Sequence, residues 1–321
     1  MPQSSDLPWR HGDPAGCVDL HMHTTASDGS ETPRQLFTMA REKGLCAIGF
    51  CDHDSLGSIR EGLALADEFG IEFAPGCEIG IAHDPARGLV ETDLVAYFYD
   101  PEHTELNEVL GQLRWAKNRK LDAQLDVLVD AGYQVPKDEV LAEAKGETIR
   151  RPHIFAVLKK YYPEMTPNSF YPQTDFGGPW YISKEFNLSL EDCVAVVERA
   201  GGICVLSSPG SYNTLYKRDG ELIDPAVDEM TKLCAAAGVR GLETIYTYHC
   251  NKPYFLSTED TLDAAALDQL LIHFEQLADQ LGLVKTGGSD YHGSSKPQIA
   301  LGELPVPYRY FTDLKRACGR D

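Results

Sequence analysis

The sequence alternates short apolar segments with helices that end at glycine, and this alternation limits the possible folds more than any other feature. Near the start, Thr32 and Pro33 predict a helix, since threonine caps helices and proline suits the first turn. That helix ends at Gly44, and a buried type of strand follows over 45–51. The other predicted strands cover residues 17–23, 71–81, 94–99, 203–206, 241–248 and 283–287. Strands that alternate with capped helices predict an α/β fold with a parallel sheet.

The middle of the chain interrupts this alternation. It begins with a long amphipathic helix over about 104–131, and a loop rich in proline, glycine and aromatic residues then runs through Trp180. We predict a helical insertion at 101–185 that forms a wall or lid over a substrate, although helices of purely structural use would give the same pattern. The expected organisation is a mobile tail over 1–16, a barrel over 17–100 and 186–321, and the insertion between its two parts.

The net charge, the hydropathy and the cysteine pattern limit the partners and the cellular location that we expect for this protein. With 29 basic and 49 acidic residues the net charge is −20, which disfavours long nucleic acid but leaves room for a small phosphorylated substrate, because a binding site is local. No apolar run approaches the roughly 18 residues of a membrane span, and the first residues lack the apolar core of a secretion signal. The nine cysteines form no C-x-x-C pair, which predicts free thiols. We expect a cytoplasmic protein without membrane contact, and the sequence predicts no oligomeric state.

Imidazoles and carboxylates fall where predicted strands end. His21 and His23 are two residues apart, so their side chains share one face of the first strand. The candidate metal ligands at four strand ends are His21, His23, Asp28, His53, Glu78, Asp290 and His292. In a parallel barrel these ends converge on one face. Imidazole and carboxylate without thiolate suit Zn, Mn or Fe, so the sequence predicts a metal site there.

Four segments carry a family resemblance. VDLHMHTTASDGSETP, GFCDHDSLGS, PGCEIG and GGSDYHG together resemble the PHP (polymerase and histidinol phosphatase) family of metal-dependent phosphoesterases. The resemblance covers about 17–100 and 200–295, which is essentially the whole predicted barrel. It implies a distorted seven-stranded (β/α) barrel of PHP type with a helical insertion, and two or three divalent metal ions.

The resemblance also divides the ligands between ions. It assigns one ion to His21, His23, Glu78 and Asp290, and a second to Asp28, His53 and His292. Glu78 would bridge to a third ion, whose other ligands in the family are histidines after the fourth and fifth barrel strands. This chain has Asp93 and Ser208 at those two positions. Asp93 can bind a metal but a neutral serine is a poor ligand, so we expect two tight ions and a weak or empty third site.

The expected reaction is attack of metal-bound hydroxide on phosphorus. His249 is the candidate proton donor to the leaving group, although a purely structural histidine fits its position equally well. The resemblance points to Arg151 and His153, in IRRPHI, as phosphate contacts. Arg114 and Lys117 share one helix face at i and i+3 and are further candidates for binding substrate, with a solvated helix surface as the alternative.

The function that follows is a phosphoesterase for a small phosphorylated metabolite or nucleotide. The substituted third metal site favours a cyclic phosphodiester, and a phosphate monoesterase with a third metal is the first alternative. A non-catalytic metal-binding PHP module is the second, since some PHP domains of polymerases have lost ligands. A barrel hydrolase of the amidohydrolase type, which also has H-x-H after its first strand, is a third.

Overall fold

The computed structural model describes residues 7–13, 15–144, 148–211, 225–251 and 262–320. Within them, strands from both halves of the chain form one sheet that curls into a nearly closed barrel. The strands are β1 (Cys17–Met22), β2 (Ala47–Phe50), β3 (Glu72–Gly80), β4 (Asp93–Tyr97), β5 (Ile203–Leu206), β6 (Gly241–Tyr246), β7 (Val284–Gly288) and β8 (Val306–Pro307). Their order is β7-β6-β5-β4-β3-β2-β1-β8. The N–H of His23 donates to the Tyr291 carbonyl at 2.9 Å and so ties the segment after β7 to β1.

Strand number and direction both differ from the sequence prediction. The described sheet has eight strands rather than seven, because the short strand β8 pairs with the start of β1. β1, β2 and β3 are parallel, as are β5, β6 and β7, but β4 is antiparallel to both of its neighbours. The connection from β3 to β4 contains only a short 3-10 turn at Pro85–Arg87. A parallel crossover usually contains an α-helix, and residues 81–92 of this link contain none, so the chain returns antiparallel beside β3.

Eleven helices lie among the described residues. They are α1 (Pro8–His11), α2 (Pro33–Lys43), α3 (Ile59–Phe69), α4 (Thr104–Asp130), α5 (Lys137–Glu143), α6 (Arg151–Tyr161), α7 (Pro167–Thr174), α8 (Leu190–Arg199), α9 (Pro225–Ala236), α10 (Ala264–Leu281) and α11 (Tyr308–Ala317). The predicted start of α2 is confirmed, because the Thr32 side chain accepts from the Gln35 backbone N–H. Its predicted end is confirmed too, because Gly44 has a φ of 74°, which glycine adopts without strain.

Helices α4–α7 lie in sequence between β4 and α8, and part of them has a core of its own. Leu128, Leu158 and Phe170 are fully buried in a cluster that is separate from the barrel core. The first half of α4 instead packs on the barrel, where Leu106 and Leu110 join the main core. The first half of α4 therefore attaches the insertion to the barrel core.

The helix α1 lies within the predicted mobile tail. Trp9 is buried there, and its Nε1–H donates to the Asp268 carboxylate of α10 at 2.9 Å. Residues 1–6 and 14 of the expected tail lie outside the described residues. None of the described helices combines the length and the apolar character that a membrane crossing would require.

Candidate metal centre

The segment after β7 lies directly against β1, and this contact brings two sets of candidate ligands together. The N–H of Asp290 donates to the His21 carbonyl at 2.8 Å. A Cβ on Gly288 would lie 2.4 Å from the His21 backbone nitrogen, so only glycine permits this approach. His21 and His23 at the end of β1 therefore face Asp290 and His292 across the barrel mouth.

Four buried residues form the first candidate metal cluster. Their ligand atoms all lie within 4.8 Å of one another, and they are His23, Asp28, His53 and His292. The His23 ring stacks between two others, with its centroid 4.6 Å from that of His53 and 4.1 Å from that of His292. Asp28 lies at the edge of this stack, with Oδ1 3.5 Å from Nε2 of His292.

The second candidate cluster shares His23 with the first. It contains His21, His23 and Glu78, and Glu78 Oε2 lies 3.5 Å from the Nε2 atoms of both histidines. Asp290 Oδ1 is 3.1 Å from His23 Nε2 and 3.6 Å from His21 Nε2. Glu78 Oε2 also lies 3.3 Å from His53 Nδ1. The two clusters thus form one continuous group of imidazoles and carboxylates.

Unpaired atoms in this group fit a set of divalent cations. Nδ1 of His23, Nδ1 of His53 and Oδ1 of Asp28 are buried and have no hydrogen-bond partner among the described residues. Buried polar atoms are almost always paired, and here the unpaired ones are nitrogen and oxygen donors of metal-binding residues. The donor set holds no thiolate, which suits Zn, Mn or Fe. The residues present therefore fit multiple divalent metal ions.

Burial and charges around His53 and Asp28 favour the protonation states that bind metal. Burial lowers the pKa of His53, and the neighbouring Arg150 guanidinium lowers it further. Burial alone would raise the pKa of Asp28, but His53, His292 and Arg150 hold it well below its usual value. Metal binding requires neutral imidazole and ionised carboxylate, so neither group must first release a proton at neutral pH.

Several side chains that sequence analysis did not single out orient the ligands. Glu243 Oε1 lies 3.0 Å from Nδ1 of His21, which directs the other ring nitrogen towards the cluster. Asp290 Oδ2 accepts from Tyr246 Oη and Lys296 Nζ, both at 2.7 Å. The only sequence signal for Glu243 is a carboxylate inside an otherwise apolar strand, GLETIY.

Asp93 and Ser208, the residues at the predicted weak third metal site, lie near Glu78 and Glu243. Asp93 begins β4 rather than following a strand, and it reaches the mouth because β4 is antiparallel to β3 and β5. Burial and the Glu78 carboxylate raise the pKa of Asp93 to about 7. The Ser208 N–H donates to Glu243 at 2.8 Å, and Ser207 Oγ donates to Glu78 at 3.0 Å.

Among the described residues, Arg150 is the arginine nearest to the cluster, rather than the predicted Arg151. Nη2 of Arg150 lies 3.0 Å from His53 Nε2, and its Nε lies 3.8 Å from the Asp28 carboxylate. Arg151 instead forms an ion pair with Asp175. The predicted His153 is buried, and its Nδ1 accepts from the Arg150 backbone N–H at 3.1 Å. His153 thus fixes the backbone of the arginine that faces the cluster.

Arg114 and Lys117 contact the loop that holds His53. Nη1 of Arg114 donates to the Asp54 carbonyl at 2.6 Å, and Lys117 forms an ion pair with the Asp54 carboxylate. The alternative of a solvated helix surface is wrong for Lys117, whose side chain is only 8% exposed. Both residues lie where a wall of the site meets the barrel.

Two further lysines form a basic pair beside this wall. Burial, Arg151 and Lys184 lower the pKa of Lys120 to about 7, and burial and Lys117 lower the pKa of Lys184 to about 8. Among the described residues, no carboxylate lies within 4.0 Å of either ammonium group. Lys120 Nζ donates a hydrogen bond to the Ile182 carbonyl at 3.4 Å. A bound anion would reduce the repulsion between these partly buried positive charges, so the lysine pair is a candidate anion site.

His249 lies in the loop after β6. Its Nε2 is 3.5 Å from Glu303 Oε1, and no described residue of the two metal clusters contacts its ring. Asn251, two residues after His249, does reach the cluster, since its side-chain amide donates to Asp290 Oδ2. The role of His249 as a proton donor stays a prediction.

Comparisons with known proteins agree with these features. The family model for the PHP domain matches residues 19–172. The chain is 26% identical over 278 residues to the phosphoribosyl 1,2-cyclic phosphate 1,2-diphosphodiesterase of Eggerthella lenta, covering 86% of this chain and 94% of that protein. It is 27% identical over 292 residues to the 3′,5′-nucleoside bisphosphate phosphatase of Chromobacterium violaceum, covering 86% and 87%. A crystal structure from Bifidobacterium adolescentis, described as a metal-dependent phosphoesterase, aligns with a TM-score of 0.76 at 27% identity and covers 96% of this chain and 98% of that one.

Proposed function

We propose that this chain, whose residues 19–172 match the model of the PHP domain, is a PHP-type metal-dependent phosphoesterase for a small phosphorylated metabolite or nucleotide. It is a hydrolase that acts on phosphate ester bonds. The single observation that carries the proposal is the continuous group of imidazoles and carboxylates at the barrel mouth, in which His23 belongs to both clusters. We propose that the protein works without long nucleic acid and without membranes, in the cytoplasm.

The proposed metal ligands are the residues of the two clusters with Asp290. Divalent ions held there would lower the pKa of a water molecule and neutralise charge on the phosphoryl group. The protein's own groups do the rest. Arg150 lies within reach of His53 and Asp28 and is placed to hold a phosphate oxygen, for which arginine presents several donors in a fixed geometry. Glu243 holds the His21 ring, and Lys296 and Tyr246 hold Asp290, so that the ligand atoms stay aimed at the ions.

The third site supports cyclic phosphodiesters as substrates alongside monoesters. Ser208 uses its N–H on Glu243, and Asp93 lies beside Glu78 with a raised pKa. A serine hydroxyl and a partly protonated carboxyl are weak ligands, so we propose two tightly held ions. A centre with two ions need not carry out the same reaction as one with three.

The basic pair at Lys120 and Lys184 supports a substrate with a second anionic group. Both lysines belong to the insertion and its following loop, next to Arg151 and Lys117. The names of the Eggerthella and Chromobacterium relatives both describe substrates with two phosphate groups. We therefore propose that one phosphate lies at the metal centre and a second anionic group at this pair, which would give the insertion its role as a substrate wall.

The proposal predicts phosphate-ester hydrolysis by the metal-loaded protein, fastest on substrates with two phosphates. The panel pairs a nucleoside 3′,5′-bisphosphate with the matching 5′-monophosphate, and a phosphorylated sugar cyclic phosphate with the same cyclic phosphate lacking the second group. We expect kcat/KM to be at least tenfold higher for the doubly charged member of a reactive pair, since a charge-assisted contact contributes about 1.5–3 kcal/mol. Product analysis separates ring opening from monoester cleavage.

The same panel decides between the alternatives. Hydrolysis of monoesters alone would favour the monoesterase with a functional third ion. Bound metal without turnover on any phosphate ester would favour the non-catalytic module. Amides and lactones are assayed separately, and their hydrolysis without phosphate release from the panel would favour the amidohydrolase type of reaction and contradict the proposal.

Arg150→Ala is expected to raise KM for the best substrate by about 10- to 100-fold, whereas Arg151→Ala is expected to raise it less. Arg150 faces the metal clusters, and losing a charged phosphate contact costs about 1.5–3 kcal/mol. Arg151 already pairs with Asp175, so its charge is partly committed. Steady-state kinetics on both variants check the ranking, and an equal KM for wild type and Arg150→Ala would remove Arg150 from the phosphate site.

A further inference from the structure

A third group of metal-binding side chains lies outside the proposed metal centre. It contains His249, Cys250 and Glu303, whose ligand atoms are all within 4.8 Å of one another. Glu303 Oε1 is 3.5 Å from His249 Nε2 and 3.8 Å from Cys250 Sγ. In contrast to the two clusters at the barrel mouth, this group includes a thiol and is only partly buried.

These separations are close to those between ligands of one tetrahedral ion. Zinc bonds of about 2.0 Å to nitrogen or oxygen and about 2.3 Å to sulfur place neighbouring ligand atoms about 3.3–3.7 Å apart. The two measured distances from Glu303 lie within this range or just above it. Only small side-chain movements are needed to close the group around an ion.

Backbone hydrogen bonds already hold the segments that carry these three residues, so their positions do not depend on a bound ion. The N–H groups of Cys250 and Asn251 both donate to the Thr247 carbonyl, at 2.9 and 2.7 Å, and form a tight turn after β6. A second turn positions Glu303, whose N–H donates to the Ala300 carbonyl at 3.1 Å. Nδ1 of His249 is buried and has no hydrogen-bond partner among the described residues. Nδ1 of His249 thus makes no structural hydrogen bond within the described part of the chain.

We propose that His249, Cys250 and Glu303 bind one thiophilic divalent ion, with Zn²⁺ as the best fit. On binding, the Cys250 thiol releases its proton to solvent, and the sulfur then bonds to the ion as a thiolate. Thiolate and carboxylate together neutralise the two positive charges, and neutral imidazole completes a set of three ligands that leaves a fourth position for water. The ion would link the loop after β6 to the segment before β8.

This link has a consequence for the neighbouring metal centre. Asn251 follows Cys250 directly, and its amide donates to Asp290 Oδ2. An ion that fixes the 247–251 turn would therefore hold Asn251 against Asp290. The proposed site acts through position, and a His249 ring bound to this ion would not also be the proton donor to the leaving group.

Cobalt substitution tests the site, because Co²⁺ bound by a thiolate absorbs in the near ultraviolet through sulfur-to-metal charge transfer. The two clusters at the mouth contain no cysteine and cannot produce this band. Full-length protein titrated with Co²⁺ is expected to show the band, and Cys250→Ser is expected to lose it and to bind one Zn²⁺ fewer per chain. Cys318→Ser, which replaces another partly buried cysteine, is the matched control and is expected to keep both.

Two outcomes would overturn the site. One is the absence of the band in the wild-type protein at excess Co²⁺, and the other is a band that persists in Cys250→Ser. Glu303→Gln provides a second variant that keeps the thiol, and we expect it to retain the band with at least tenfold weaker Co²⁺ affinity. Phosphate release is measured separately on the same samples, so failure of this site does not count as failure of the proposed phosphoesterase.

Discussion

Asp290→Asn is expected to remove at least one metal ion from each chain and to lower kcat/KM for phosphate-ester hydrolysis by about 10³-fold or more. Asp290 Oδ1 lies 3.1 Å from Nε2 of His23 and 3.6 Å from Nε2 of His21, so the carboxylate contacts the histidines of both clusters. The amide is nearly the same size but carries no charge. A loss of 10³-fold corresponds to about 4 kcal/mol of transition-state stabilisation, which is a reasonable share of what metal ions contribute.

Metal analysis after dialysis and steady-state kinetics over a range of substrate concentrations, which give kcat/KM, check this expectation. His21→Ala is expected to give a similar loss, because it removes a ligand from the same cluster. Asp122→Asn is the matched control, since Asp122 is 67% exposed on α4 and pairs only with Lys137 among the described residues. Circular dichroism separates loss of metal from loss of fold. Normal metal content together with normal turnover in Asp290→Asn would mean that the ligand set is wrongly assigned.

The sequence predicts most residues of the candidate metal clusters because their positions follow from local rules. His21 and His23 share a strand face through the two-residue period of a strand, and that face is independent of the rest of the fold. The ends of parallel strands then meet at one edge, so His53, Glu78 and Asp290 could be placed near them without a structure. The helix limits at Thr32 and Gly44 follow from capping in the same way.

The structure differs from the sequence prediction in two kinds of feature. One is the choice between neighbouring residues, and the other is contact between residues far apart in the sequence. Arg150 is the cap before α6 and has extended backbone angles, whereas Arg151 is in its first turn, so the two adjacent side chains point to different neighbours. β4 pairs antiparallel with both β3 and β5, and its pairing with β5 spans the insertion, so the sequence prediction of a parallel sheet did not anticipate its direction. Glu243 contacts His21, which is 222 residues away in the sequence, and only the barrel brings the two together.

Asp52→Ala is expected to lower the free energy of unfolding by about 3–5 kcal/mol. Asp52 is fully buried and accepts hydrogen bonds from the Thr24 N–H and Oγ1–H, both at 2.8 Å, and from Ser27 Oγ at 2.7 Å. The Ser58 hydroxyl also donates to it. Alanine would leave four buried donors without an acceptor, and each such donor costs about 1–3 kcal/mol before water or relaxation restores part of it.

Chemical denaturation of the metal-free protein measures this effect without a contribution from ion binding. Asp52→Asn keeps the shape and one carbonyl oxygen, so its loss should fall between those of wild type and Asp52→Ala. Asp122→Ala, at an exposed position, should change stability by less than about 0.5 kcal/mol.

The same carboxylate also connects stability to the metal centre. Thr24 and Ser27, which donate to Asp52, lie in the loop that joins His23 to Asp28. Without Asp52 this loop loses its anchor on the second strand, and Asp28 is no longer held at the edge of the histidine stack. Asp52→Ala should therefore weaken metal binding as well as stability, although Asp52 is not itself among the candidate ligands. Unchanged metal affinity in a clearly destabilised variant would show that Asp28 is positioned by the ions and their other ligands rather than by this loop.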